Sequence, residues 1–148
     1  IEEVLQKEPK NMDAHLLAGK IYANMGLYDK ALKKGMDALE VNDLSADAYL
    51  ILGSIYYTIR EKEKAISSFK KAVYLDNNSV LSHYYLGNLY KEVNLIEQAI
   101  KEYKNVIHIF ETNTDRKEWL AGEVFTVKQL KEICARNAEI LASNQQGG

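Results

Sequence analysis

Gly19, Gly53 and Gly87 stand 34 residues apart, and so do Tyr22, Tyr56 and Tyr90, and Ala31, Ala65 and Ala99. Two looser columns keep the same register: His15, Tyr49 and His83, and Ala38, Ala72 and Val106. A fixed period of this length means that the chain is assembled from copies of one supersecondary unit. No copy can bury its apolar face alone, so stacking of neighbours supplies the core.

Each copy reads as two helices. In "DAHLLAGKIYANMG" (13–26) the apolar and small residues Leu17, Ala18, Ile21, Tyr22 and Met25 recur at helical spacing. In "DKALKKGMDALEV" (29–41), Ala31, Leu32, Ala38, Leu39 and Val41 do the same. The breaks at Met25-Gly26 and Asn42-Asp43 are joints of the kind that end helices. Strand-period alternation does not occur. The predicted fold is all-α: a solenoid of antiparallel helix pairs.

The register places full copies at 12–45, 46–79 and 80–113. Residues 1–11 read as the end of a truncated preceding repeat, with Pro9 where a helix has to stop. The chain opens with Ile1 inside a helical pattern, which predicts a fragment of a longer protein. Residues 114–125 read as a polar loop, 126–142 as a capping helix and 143–148 as a disordered tail. The capping helix carries Val127, Leu130, Ile133, Cys134, Ala138 and Leu141 on one stripe, and Thr126 with Gln129 predicts a capping box.

The register also divides the cluster "HYYLGNLYKE" (83–92) into two stripes. His83, Leu86, Gly87 and Tyr90 recur at i, i+3, i+4 and i+7 and read as packing positions. Tyr90 is expected to fill the wedge between helix pairs, so that Tyr90→Ala costs about 3–5 kcal/mol. Tyr84, Asn88 and Lys91 form the second stripe, repeated as Leu16, Lys20 and Ala23 and as Leu50, Ser54 and Tyr57.

The period, the small residues at Gly87 and Ala99 and the aromatic three places after each glycine resemble the tetratricopeptide repeat. That resemblance implies a protein-interaction module whose concave groove holds a peptide or a partner domain. The groove stripe would be Leu16, Lys20, Leu50, Ser54, Tyr57, Tyr84, Asn88 and Lys91, with aromatic anchors among polar points. Chaperone-binding members clamp a C-terminal carboxylate with basic residues and asparagines. Here Leu16, Lys20, Ile51, Leu81 and Tyr85 stand at those positions, and the clamp is absent. Three departures from the family pattern stand out. Asp43 and Asn77 replace the closing proline, Arg60 and Asn94 replace the turn glycine Gly26, and Gly35 stands in the column of Phe69 and Tyr103.

The stretch Tyr74–Leu141 is further similar to the C-terminal tetratricopeptide extension of CheR-type chemotaxis receptor methyltransferases. This implies a bacterial protein-glutamate methyltransferase whose S-adenosylmethionine-dependent domain lies upstream, and a chemoreceptor, a response regulator or that catalytic domain as partner. The alternative is a scaffold or self-association module of another bacterial assembly or signalling protein, pairing through an uncovered N-terminal end.

The remaining chemistry points away from catalysis in this fragment. His15 and His83 belong to a packing column, and His108 has no ligand at metal spacing. Cys134 lies on an apolar stripe without a neighbouring histidine or a second cysteine. No Gly-rich phosphate loop is present, so no catalytic, cofactor or metal site is assigned. The net charge of −2 lacks the basic excess that phosphate neutralisation needs, which argues against nucleic acid. No apolar run is long enough to insert into a membrane, and the single cysteine fits a reducing cytoplasm.

Overall fold

The computed structural model describes residues 1–113 and 126–147. The described residues form helices α1 (Glu2–Lys7), α2 (Met12–Asn24), α3 (Tyr28–Val41), α4 (Ala46–Thr58), α5 (Lys62–Leu75), α6 (Val80–Glu92), α7 (Ile96–Thr112) and α8 (Val127–Gln146). No strand occurs among them. The polar loop predicted at 114–125 lies outside the described residues. The chain divides into two compact units, Ile1–Ser82 and His83–Gly148, the boundary falling inside α6.

The local chemistry repeats with the fold. Asn11 and Ser45 cap α2 and α4, their side-chain oxygens accepting from the N–H groups of Ala14 (2.9 Å) and Ala48 (3.1 Å). Each first helix ends in a Schellman turn. The N–H groups of Leu27, Glu61 and Leu95 donate to the carbonyls of Tyr22 (2.8 Å), Tyr56 (2.9 Å) and Tyr90 (2.8 Å). The turn needs a left-handed residue, supplied by Gly26 (φ 74°), Arg60 (φ 66°) and Asn94 (φ 60°). Where the proline is lacking, the preceding side chain closes the joint. Asn42 Oδ1 accepts from Leu44 N–H and Asp76 Oδ1 from Asn78 N–H, each at 3.0 Å.

In the first unit, Leu16 of α2, Ala31 and Ala38 of α3 and Ala48, Ile51 and Ile55 of α4 form one buried cluster. A smaller cluster joins Leu5 of α1 to Ala14 and Ala18 of α2. The glycine column has a partner that changes from copy to copy. A Cβ on Gly53 would lie 2.7 Å from the ring of Phe69, so the missing side chain is the space that this buried ring fills. Gly19 has no ring beneath it, because Gly35 stands where Phe69 stands in the next copy. Leu52 of α4 takes that space instead: a Cβ on Gly35 would lie 2.6 Å from Leu52 Cδ2.

In the second unit, Tyr103 lies fully buried beneath Gly87, whose Cβ position is 2.7 Å from Tyr103 Cε1. Leu130, Cys134, Ala138 and Leu141 are the buried stripe of α8, which packs on α7. The capping box closes as expected: Thr126 Oγ1 accepts from Gln129 N–H at 3.2 Å, and Gln129 Oε1 accepts from Thr126 N–H at 2.9 Å. Lys131 pairs with Glu111 of α7 at 3.2 Å.

Two expectations change. The helix predicted to end at 142 continues to Gln146, so residues 143–146 are helical instead of a disordered tail. Nothing in 143–146 stops a helix, and Ser143 returns its hydroxyl to the carbonyl of Ile140 (2.9 Å). The tyrosine column, Tyr22, Tyr56 and Tyr90, is also only half-buried, and the rings at the centre of the packing are Phe69 and Tyr103. The column lies in the last turn of each first helix, where the polar phenol keeps access to water and to charged neighbours. Tyr22 donates to Glu2 (2.6 Å), and the ammonium groups of Lys30 and Lys64 sit 5.6 Å from the ring centres of Tyr22 and Tyr56.

Candidate partner-binding site

Helices α2 and α4 pack against each other and carry the groove stripe of the first unit. Lys20 is exposed, and Leu50, Ser54 and Tyr57 are half-buried. Leu16, expected as groove floor, is packed into the core cluster with Ala31 and Ile51. The Ser54 hydroxyl donates to the carbonyl of Leu50 (2.8 Å) one turn earlier, which leaves its oxygen to accept from a partner.

The second unit carries the stripe on α6. Tyr84 is half-buried, its ring centre 5.4 Å from that of Tyr85 at a tilt of 55°. Asn88 is half-buried and its Oδ1 accepts from the Tyr103 hydroxyl at 2.7 Å. That bond joins the two halves of the pattern, because the ring beneath Gly87 also orients the groove asparagine. With Oδ1 engaged, the Asn88 amide N–H groups are the donors it can turn to a ligand. Lys91 is exposed at the end of the helix.

The two packing-column histidines are buried and face carboxylates. His83 Nδ1 meets Glu102 Oε2, and Asn105 also donates to that oxygen at 3.3 Å. His15 Nε2 is 2.9 Å from the Pro9 carbonyl, which only an N–H can satisfy, and its Nδ1 lies 3.8 Å from Asp37 Oδ2. Sequence reasoning placed both rings correctly but missed their acidic neighbours. Asp37 and Glu102 come from different columns of the repeat, so no periodic signal marks them. No group of three or more His, Cys, Asp or Glu side chains suited to a metal occurs among the described residues. No helix among them is long and apolar enough to cross a membrane. Burial pushes the Cys134 thiol up to about 12, far from the range of a nucleophile.

Residues 46–79 match the family description "Tetratricopeptide repeat". The all-α fold of paired helices matches that of solved tetratricopeptide-repeat proteins. A crystal structure of MamA is similar over 99% of this chain and 85% of that one, with 25% identity and a TM-score of 0.67. PcrH, solved in complex with the chaperone-binding region of PopD, matches over 98% of this chain and 96% of its own, with 14% identity and a TM-score of 0.74. The first tetratricopeptide-repeat domain of Spaghetti (RPAP3), bound to the HSP90 peptide SRMEEVD, covers 88% of this chain and 93% of its own (17% identity, TM-score 0.69). None of the curated protein sequences matches the chain.

Proposed function

We propose that the chain is a non-catalytic interaction module that holds a peptide or a partner segment on the first-helix stripe. Lys20, Leu50, Ser54 and Tyr57 act in the first unit, and Tyr84, Asn88 and Lys91 in the second. The observation that carries this reading is the division within α4 and α6: Ile51, Leu52 and Ile55 and His83, Leu86 and Gly87 are buried, while Ser54, Tyr57, Tyr84 and Asn88 are half-buried and Lys91 is exposed. Similar folds solved with a bound HSP90 peptide or a PopD region lend support.

The chemistry of the stripe narrows the ligand. Leu16 and Ile51, at two positions of the carboxylate clamp, are buried in an apolar cluster and have no charge to offer. The ligand is therefore an extended or helical segment with apolar anchors, read by aromatic contact and by a few polar points. Selection from a random peptide display library tests this. Selected peptides should lose about tenfold or more in affinity with Tyr57→Ala and with Lys20→Glu, as anchor residues do. The Tyr74→Ala control should leave binding unchanged, since Tyr74 is exposed and belongs to α5, not to the stripe on α2 and α4. If Tyr74→Ala weakens binding and the stripe variants do not, the assignment is wrong.

A narrower reading places the module in a CheR-type chemotaxis methyltransferase. It rests on the likeness of Tyr74–Leu141, with its closing helix led by Thr126, to that family's C-terminal extension. The coding sequence upstream of Ile1 tests it: a methyltransferase domain there supports it, and unrelated domains remove it.

A further inference from the structure

One column of the repeat carries a different polar group in each copy, and what lies 15 residues further on differs with it. Lys20, Ser54 and Asn88 are followed by Gly35, Phe69 and Tyr103. Only the third copy has a hydroxyl there. It belongs to a fully buried ring beneath Gly87, and it donates to Asn88 Oδ1 at 2.7 Å. Phe69 is equally buried and has no such group, and Ser54 donates its own proton to the Leu50 carbonyl at 2.8 Å. On α4 the column therefore offers an oxygen, and on α6 it offers N–H groups.

An unrestrained amide can turn either its oxygen or its nitrogen outward, since the two ends have nearly the same shape. The phenol removes that choice: it holds Oδ1 inward, so the N–H edge of Asn88 faces a ligand. Three residues on, one turn along the same stripe, Lys91 is exposed and adds an ammonium group, which has donors and no acceptor. Side chains at this spacing are neighbours on a helix surface, about 5–6 Å apart at Cβ. The nearby acid of α7, Glu102, is engaged by His83 and by Asn105 at 3.3 Å. Donors beside a positive charge suit a group that is anionic and rich in lone pairs, which a carboxylate is. Half-buried Tyr84, one turn back, supplies apolar contact area next to them.

We propose that Asn88 and Lys91 form a subsite for an aspartate or glutamate side chain of the ligand, and that Tyr103 is the positioning residue that sets its polarity. The inference rests on the groove reading above and narrows the ligand. An apolar residue lies against Tyr84, and beside it an acidic residue accepts from Asn88 Nδ2 and Lys91 Nζ.

Random peptides displayed with their C-termini fused to the carrier, so that no terminal carboxylate is free, are selected in parallel on the chain and on its Asn88→Asp variant. That substitution keeps an oxygen for the phenol and replaces the donor edge by a second oxygen. Peptides selected on the unaltered chain should carry Asp or Glu at one fixed place beside an apolar anchor. Changing that residue to Asn or Gln in a synthetic peptide should weaken binding by about tenfold, as loss of a hydrogen bond to a charged group does. Asn88→Asp should abolish the acidic preference, and Lys91→Met should weaken the acidic peptide more than its amide counterpart. Tyr103→Phe places in the third copy the ring of the second. It should leave the circular dichroism spectrum unchanged yet narrow the ratio between acid and amide peptides, because Asn88 is then free to turn its oxygen outward. A ring that only fills the core would not move that ratio. Equal binding of acid and amide peptides, a retained acidic preference in Asn88→Asp, or an unmoved ratio in Tyr103→Phe would each overturn the inference. The groove reading survives these outcomes if Tyr84→Ala still weakens the same peptides. Indifference to Tyr84→Ala and to Lys91→Met would remove the groove reading on α6 and this inference with it.

Discussion

A methyl group added at Gly53 would lie 2.7 Å from Phe69, and one at Gly87 the same distance from Tyr103, whereas at Gly19 the nearest atoms stand 3.6 Å away. The three positions are identical in register and opposite in consequence. Gly19→Ala should stabilise by up to about 1 kcal/mol, the helix-propensity gain of alanine. Gly53→Ala and Gly87→Ala should destabilise by about 1–3 kcal/mol, because a buried ring must move in a full core. Urea denaturation of the three variants measures the contrast. Arg60 gives a second residue-scale outcome: it holds a left-handed conformation that suits glycine. Arg60→Gly should raise stability by about 0.5–1 kcal/mol, the relief of strain less the entropy glycine loses on folding. Cys134 gives a third. With its thiol pushed up to about 12 by burial, it should resist thiol reagents at neutral pH and react only on unfolding.

At the scale of elements, the second and third helix pairs are each held by one buried ring, Phe69 and Tyr103. Tyr103→Ala should cost about 3–5 kcal/mol, the range for a truncated buried aromatic, and more than Tyr90→Ala. It should also weaken any ligand read by Asn88, since that side chain loses its phenol partner. Tyr103→Phe separates the two effects, retaining the packing while releasing Asn88. Helix α1 is tied down differently, by the Tyr22 phenol donating to Glu2 and by Lys34 at 3.8 Å from the same carboxylate. The Tyr22 hydrogen bond, ahead of the lysine charge, lowers Glu2 below its ordinary value. A depressed carboxyl stabilises the folded form above its unfolded pKa and loses that contribution as the pH falls through its folded one. Undocking of α1 should therefore begin in acid, and Glu2→Gln should remove this pH dependence in hydrogen-exchange measurements across α1.

For the whole molecule, the 34-residue register marks the paired helices of the three copies and part of their core: the alanine column Ala31, Ala65 and Ala99 is fully buried in every copy. On α6, His83, Leu86 and Gly87 of the packing stripe are buried, but Tyr90 is half-buried like Tyr84 and Asn88 of the second stripe, and Lys91 is exposed. Two features are not periodic and so left no trace in the register. The acidic neighbours of the histidines come from unrelated columns, and Leu52 packs against Gly35, where the next copies carry a ring. The tyrosine column shows the same limit. A repeated aromatic implies a repeated contact, yet whether that contact is deep core or helix end depends on where the helix stops. Architecture, turns and capping box follow from local spacing and propensity, which act within a few residues and are written in order along the chain. Which ring fills the core and which groove residue is committed to a neighbour depend on side chains distant in sequence, and only their packing in three dimensions decides them.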